Sequence, residues 1–300
     1  MVRLISCLRG QTVLTLKAFA KVNLVLEVLG KRDDGYHEIA SIMQTVSLYD
    51  VLTLEPASHI KLDFSLPGLP DRANIVLKAA EALAKFAGCS MGAVIGLEKN
   101  IPVGAGLGGG SSDAAAVLRG LNRLWRLELT REQLAAIGAG LGSDVPFFIY
   151  GGACLIGGRG EWVTPLADLD QAWFVLLRPD MAVSPDKTAA LYRLVKPGHY
   201  TSGDLSSGMR ELFENRGERK PAPLYNVFEK VTPAAFPGLD KYMEEFLKAG
   251  APEVHLAGSG PVLFTMLHDE RQASGIHARL MAGGLDSYLV TSVGREEIDC

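Results

Sequence analysis

Five glycines fall within the seven positions Gly104 to Gly110, and the run Ile101-Pro-Val-Gly-Ala-Gly-Leu-Gly-Gly-Gly-Ser-Ser-Asp113 leads directly into an apolar helical repeat. Glycine tolerates positive φ and lets backbone approach a ligand closely. Consecutive free N–H groups can then converge on an anion, and a helix start adds its own N–H groups and dipole. The chemistry this suits is the binding of a phosphate chain, a triphosphate included. Ser111 and Ser112 serve there either as helix N-caps or as ligands to phosphate or Mg²⁺. A flexible loop with a capping serine is the bland alternative, and five glycines meeting Ser-Ser-Asp argue against it. Two familiar phosphate loops do not fit. Walker A needs Gly-Lys-Ser/Thr, and no lysine stands at that point. Gly104, Gly106 and Gly109 satisfy G-x-G-x-x-G, but Lys99-Asn-Ile-Pro102 separates them from the preceding strand. Glu128, near where a ribose-binding acid would fall, sits at a junction between helices, so a dinucleotide site is a weak reading.

Other residue types at telling positions lie elsewhere in the chain. Lys21 interrupts an apolar strand pattern, where it either snorkels to solvent or serves a site. Asn23 lies two residues on and therefore shares its face. Asp144 stands in Gly142-Ser-Asp-Val-Pro-Phe-Phe148, between a turn and an apolar run. It is either a plain turn residue or a carboxylate held at a cleft, able to accept or orient a hydroxyl proton. Tyr36 and His37 end a charged turn, a setting where a histidine is by default a solvated turn residue. Lys99, three residues before Pro102, is either an exposed lysine or one that reaches a nucleotide.

The elements that would position these groups can be read from pattern. Strands are expected over residues 12–16, 22–29, 39–45, 50–55, 93–97, 153–156, 173–177, 254–257, 262–267 and 287–293. Helices are expected at 74–86, with Asn74 as N-cap, at 112–125, at 130–141, at 239–249 and at 271–282. Thr130 and Gln133 form a capping-box pattern. The polar stretch from Pro197 to Pro223 reads as a mobile surface segment. Strands and helices mix without regular βαβ alternation, which favours an α+β fold. No internal repeat is visible.

Composition narrows the class. Apolar residues make up 48% and charged residues 21% of 300, as in an ordinary soluble globular protein. The net charge of −4 argues against general nucleic-acid binding. No apolar run approaches a membrane span, and the N-terminus does not read as a secretory signal. Cys7, Cys89, Cys154 and Cys300 and the six histidines lack metal-ligand spacing, so no protein-held metal is expected. Free thiols fit a reducing, cytoplasmic setting.

The glycine run with Pro102 resembles the signature of the GHMP kinases, and Ala257-Gly-Ser-Gly-Pro261 resembles their late glycine turn between strands. Three further segments resemble one branch of that superfamily, the kinases of 4-diphosphocytidyl-2-C-methyl-D-erythritol in the non-mevalonate isoprenoid pathway. They are Ala20-Lys21-Val-Asn23-Leu, Arg32-Asp-Asp-Gly-Tyr-His37 and Gly142-Ser-Asp144-Val-Pro-Phe-Phe148. The resemblance runs from about Leu14 to Val293. It implies a two-domain α+β fold, an ATP-binding domain over 1–155 and a smaller domain over 156–300, with the active site in the cleft between them. It implies ATP as phosphate donor, with Mg²⁺ carried on the nucleotide, and the cytidyl ester as small-molecule substrate of a monomer or homodimer.

The same resemblance implies roles for residues. Lys21 and Asp144 would be catalytic, with Asp144 also touching the substrate. Lys99 and the run Pro102, Val103, Gly104, Ala105, Gly106, Leu107, Gly108, Gly109, Gly110, Ser111 and Ser112 would hold the nucleotide. Asn23, Tyr36, His37, Thr188 and Tyr192 would select the substrate, His37 at the cytosine edge and Tyr192 stacking on the ring, though Tyr192 is equally readable as a buried helix face. One departure is Asn226-Val-Phe-Glu229, where related chains carry Asn-Asp/Asn-Leu-Glu; no chemistry is assigned to it. Rival readings are a homoserine or mevalonate-type kinase, a non-catalytic nucleotide-binding regulator and a dinucleotide oxidoreductase.

Overall fold

The computed structural model describes residues 13–63, 74–184, 186–214 and 223–298. Cys7, Thr12, Cys300 and part of the polar 197–223 stretch lie outside these. Two very long strands organise the first half, β1 (Leu14–Lys31) and β2 (His37–Ala57). The four short strands expected here are two continuous ones. Their antiparallel register runs from Leu14 opposite Leu54 to Lys31 opposite His37, with irregularities at Phe19/Ala20, Asn23/Val25 and Val28/Gly30 that let so long a ribbon bend. Every residue from Ala18 to Val28 is buried, which explains why this stretch reads as a continuous apolar run rather than an alternation. Lys17 to Lys21, expected as a break between strands, is part of β1.

The sheet continues through β3 (Lys61–Asp63) and β4 (Gly92–Glu98), giving the order β3-β4-β2-β1-β8, where β8 is Tyr225–Asn226. Further along β2, residues 41–44 pair with β5 (Ala153–Gly157), which in turn pairs with β6 (Trp162–Pro165). Helices α1 (Ile75–Ala87), α2 (Gly109–Leu124), α3 (Arg131–Ala139) and α4 (Val145–Tyr150) accompany this sheet. Helix α2 packs on β1 and β2, with Val117, Leu118 and Leu121 in one apolar cluster with Leu16, Leu52 and Leu54. Asn74 caps α1 and Thr130–Gln133 forms the capping box, both as expected.

A second, antiparallel sheet has the order β11-β7-β10-β9, from β7 (Trp173–Arg178), β9 (His255–Leu256), β10 (Leu263–Leu267) and β11 (Asp286–Thr291). Helices α5 (Lys187–Leu194), α6 (Asp204–Glu214), α7 (Thr232–Ala235), α8 (Leu239–Lys248) and α9 (Glu270–Ala282) complete the chain. Helix α6 overturns part of the mobile-segment expectation. It buries Ser206, Met209 and Phe213, and the Ser206 N–H donates to the buried Glu27 carboxylate at 2.8 Å. The polar surface of that helix hid an apolar stripe at helical spacing. The two sheets join where Val293 and Thr45 exchange a backbone bond and Gln44 donates to the Val293 carbonyl. Residue 155 falls inside β5, a member of the first sheet, so we propose that the two domains divide between Pro165 and Trp173 rather than at 155.

Two contacts fix the glycine loop. Gly106 has φ +86°, and a Cβ there would collide with the Ala257 carbonyl oxygen and stand 2.7 Å from the Gly260 nitrogen. The loop thus lies backbone-to-backbone against the late glycine turn, a closeness open only to glycine. Beneath it, the Lys99 ammonium donates to Asp113 at 2.7 Å and to Asp50, whose other oxygen accepts the N–H groups of Asn100 (2.6 Å) and Ile101 (2.8 Å). Asp50 and Asp113 are both buried. Burial, and secondarily Asp50, push the Asp113 carboxyl up to about 7 against the pull of Lys99.

Gly106→Ala should therefore cost about 2–4 kcal/mol, from left-handed strain and a backbone clash together, and weaken ATP binding; urea unfolding and nucleotide titration check both. Asp113 gives a pH signature. From about pH 4 to 7 the folded chain holds a proton on this carboxyl that the unfolded chain releases, so its stabilising contribution falls as pH rises through that window. The melting temperature of Asp113→Asn should accordingly drop less between pH 5 and 7.5 than that of wild type, and equal drops would contradict a protonated Asp113.

Candidate active site

Strand β1 delivers Lys21 to the middle of the molecule, where it is 3% exposed. A lysine so buried needs compensation, because desolvation disfavours its charge. Its Nζ donates to Asn23 Oδ1 at 2.7 Å and stands 4.0 Å from Asp144 Oδ2. Burial pushes the Lys21 ammonium below its ordinary range, and the Asp144 carboxylate pulls it back up. Asn23 is itself held, donating to Ser41 Oγ at 2.8 Å. The parity argument for Lys21 and Asn23 thus describes a real pair.

Asp144 sits at the N-cap position of α4 but makes no capping bond. That leaves the carboxylate unspent on its helix, and it remains one-third exposed, facing the lysine. Pro146 near the start of α4 fixes the turn that aims it.

The phosphate loop comes to the same place. The Lys21 N–H donates to the Leu107 carbonyl at 3.0 Å, tying β1 to the loop. Gly104, Gly106 and Gly108 all have positive φ. Helix α2 begins at Gly109 with Gly108 as N-cap, three residues earlier than expected. Ser111 and Ser112 are consequently inside its first turn rather than N-caps. The glycines disguised this start, since they are poor helix formers in isolation. The late turn closes the other side. A Cβ on Gly258 would lie 2.6 Å from Lys21 Nζ and 3.3 Å from Asn23 Oδ1. Glu128 lies in the connection between α2 and α3, away from any strand end, as the dinucleotide reading could not accommodate.

All of this opens into one cleft of about 1350 Å³. Its walls include Lys21, Asn23, Tyr36, His37, Asp144, Thr188 and Tyr192, so every expected substrate residue meets the expected catalytic pair. From the nucleotide set, Lys99, Pro102, Val103, Gly104, Ala105, Gly106, Gly108, Gly109, Gly110 and Ser111 line it. Leu107 and Ser112 do not; both are buried, because the loop needs an inward anchor and the helix an inward face. Lys99 reaches the cleft with its charge already answered by Asp50 and Asp113.

At the far end, the His37 ring stacks on Tyr192 with centroids 5.1 Å apart, and Phe228 meets Tyr192 edge-on at 4.9 Å. Burial, and then Lys31, hold the His37 imidazole below its usual range, which favours the neutral ring, able both to donate and to accept. Tyr36 is 54% exposed, and the Arg159 guanidinium lies 4.9 Å from its ring centre.

Sequence reasoning missed the lining residue Lys187 and the supports behind the late glycine turn. Lys187 donates to the carbonyls of Ser259 (3.1 Å) and Gly260, and Thr188 shares a hydrogen bond with the Ser259 hydroxyl at 2.9 Å. Asn226, in the segment to which no chemistry was assigned, donates to the Leu256 and Gly258 carbonyls and so holds the glycine turn from behind. Glu229 accepts from the Leu256 N–H in the same support. The departure at Val227 and Phe228 leaves both supporting residues in place and lends a ring to the cleft. No signal along the chain marks such supports, which arise from contacts 27 residues or more away.

Comparison with known proteins fits this geometry. Residues 74–152 match the model of the GHMP kinases N terminal domain and residues 199–283 that of the GHMP kinases C terminal domain. The 4-diphosphocytidyl-2-C-methyl-D-erythritol kinase of Dehalococcoides mccartyi strain 195 is 46% identical over 283 residues, covering 94% of this chain and 99% of its own. That of Symbiobacterium thermophilum is 40% identical, over 93% and 99% respectively. A crystal structure of 4-(cytidine 5'-diphospho)-2C-methyl-D-erythritol kinase superposes with a TM-score of 0.79 at 35% identity, covering 93% of this chain and 99% of that one. A homoserine kinase from Cytophaga hutchinsonii, at 16% identity and a TM-score of 0.70, shares the fold. With near-full-length identity to those relatives and both superfamily domains present, this chain belongs to the 4-diphosphocytidyl-2-C-methyl-D-erythritol kinase family of the GHMP kinases.

Proposed function

We propose that the chain transfers the γ-phosphoryl group of ATP to the 2-hydroxyl of 4-diphosphocytidyl-2-C-methyl-D-erythritol, giving ADP and the 2-phosphate. One observation carries the assignment of roles. The buried Lys21 and the uncapped Asp144, 4.0 Å apart, stand between the glycine loop and the His37–Tyr192 end of a single cleft. A two-substrate phosphotransfer needs this order of parts, with donor phosphates, reacting hydroxyl and acceptor base in sequence along one channel.

Asp144 accepts the proton of the attacking hydroxyl, or orients that hydroxyl, as its bond to phosphorus forms and the bond to the leaving ADP oxygen breaks. Lys21, buried at 3% exposure, lies beside the oxygens on which charge is spread during transfer. Its companion Asn23 keeps the ammonium pointed at the reacting centre. The loop from Gly104 to Gly110 offers backbone N–H groups to the phosphates, and the start of α2 adds its dipole. Tyr192, with His37 against it, forms the wall on which the cytosine rests, and the His37 edge reads the base.

Mg²⁺ belongs with the nucleotide. Such an ion is carried mainly by phosphate oxygens. Ser111, at the cleft beside the loop, is the side chain that would complete its shell, and when bound the ion neutralises phosphate charge.

A coupled ADP-release assay should show turnover with the cytidyl ester and none with homoserine or mevalonate. Turnover with either of the latter alone would reassign the chain within the superfamily. Asp144→Asn should lower kcat by about 10²–10⁴-fold with ATP affinity nearly unchanged; a near-normal kcat would remove Asp144 from the chemistry.

A further inference from the structure

Lys187 is a further ammonium lining the cleft, and the roles proposed above leave it without one. It is half-buried at the first position of α5, lines the cleft, and has no carboxylate partner among the described residues. Among the described residues its ammonium donates to the carbonyls of Ser259 and Gly260. The glycine turn they belong to has Lys21 on its other side, against Gly258. Two ammoniums therefore flank one turn. Burial first, and then the charge of Lys21, push Lys187 down to about 7. This is an electrostatic arrangement that an anion relieves, and the other inward cations differ from it. Lys99 is paired with the buried acids Asp50 and Asp113, and Lys21 with Asp144.

The acceptor supplies an anion at this spot. Its cytosine rests at Tyr192 and its 2-hydroxyl lies at Asp144, so its diphosphate must pass between them. Lys187 stands on the same helix as Tyr192, five residues earlier, which is about 7.5 Å along the axis. That is of the order of the span from a base across its ribose to the phosphates. Thr188 is adjacent and points to the same turn. The donor's triphosphate is assigned to the glycine loop, whose Gly106 packs on Ala257 and Gly260 of the same turn.

We propose that Lys187 binds the diphosphate of the acceptor, exchanging a turn carbonyl for a phosphate oxygen as the substrate enters. The proposal rests on the substrate reading above. It makes Lys187 a binding and specificity residue, the group that distinguishes a cytidine diphosphate ester from cytidine itself.

Calorimetric titration of the whole chain with cytidine and with cytidine diphosphate tests it. Wild type should bind the diphosphate more tightly. Lys187→Met should weaken diphosphate binding by about ten- to a hundredfold, the range of a charge-assisted hydrogen bond, and leave cytidine binding within about twofold. Lys187→Arg should recover most of the loss. In steady state the acceptor KM should rise by a similar factor in Lys187→Met, while the ATP KM stays within about twofold. Equal losses for cytidine and its diphosphate, or an ATP KM that rises as much as the acceptor KM, would assign Lys187 to bracing the turn and overturn the proposal. Wild-type turnover of the acceptor with unchanged diphosphate affinity in Lys187→Met would overturn it and leave the proposed function standing. Absence of both turnover and diphosphate binding in wild type would remove the function, and the proposal with it.

Discussion

The structure turns on a buried ammonium. Lys21 lies in the middle of an eleven-residue stretch of β1 that is buried throughout, and a lone charge there is strongly disfavoured. Its surroundings are the compensation. Asn23 supplies an oxygen at 2.7 Å, Asp144 a carboxylate at 4.0 Å, and two glycines, 108 and 258, stand close enough that any side chain would collide with the lysine or its neighbours. Remove the lysine and there is no reason for Asp144 to forgo capping its helix, nor for Asn23 to sit buried against Ser41. The strain of hosting one charge thus specifies a strand, a helix start and two loops at once.

The second constraint is mutual. The phosphate loop and the late glycine turn are each too irregular to hold a shape alone. They are fixed by contact between Gly106 and the Ala257–Gly260 backbone, and from outside by Asp50, Lys99 and Asn226. The loop belongs to the first sheet's helices and the turn to the second sheet, so the site exists only where the two halves of the chain meet. Loops that must present free N–H groups to a ligand cannot use them in secondary structure, and rigid neighbours take over that task.

How far this was legible in the sequence follows from which contacts are local. The glycine run, the Lys21–Asn23 parity and the turn before Asp144 depend on near neighbours, and all were readable with their location. The capped helices were readable for the same reason. Two long strands were read as four short ones, because β-bulges and full burial break the alternation that marks a strand. Helix α2 began three residues early under its glycines. Helix α6 was hidden because Met209 and Phe213 are diluted among polar neighbours. Asp50, Asn226 and Lys187 carried no local mark, since their partners are tens of residues away. The family resemblance supplied the aromatic end of the cleft, where Tyr192 alone was as readable as a buried helix face.

The cations of the cleft sort themselves by what answers them. Lys99 meets two buried acids, Asp50 and Asp113, at the floor of the loop. Lys21 meets one carboxylate at 4.0 Å, beyond direct hydrogen-bond length, so its charge is only partly matched and remains available to a phosphoryl group in transit. Lys187 meets carbonyl dipoles alone. Compensation therefore falls from Lys99 through Lys21 to Lys187, set by the partner rather than by the residue. The same lysine type stands in three electrostatic settings in one cleft because the fold supplies it with two acidic partners, with one, and, among the described residues, with none.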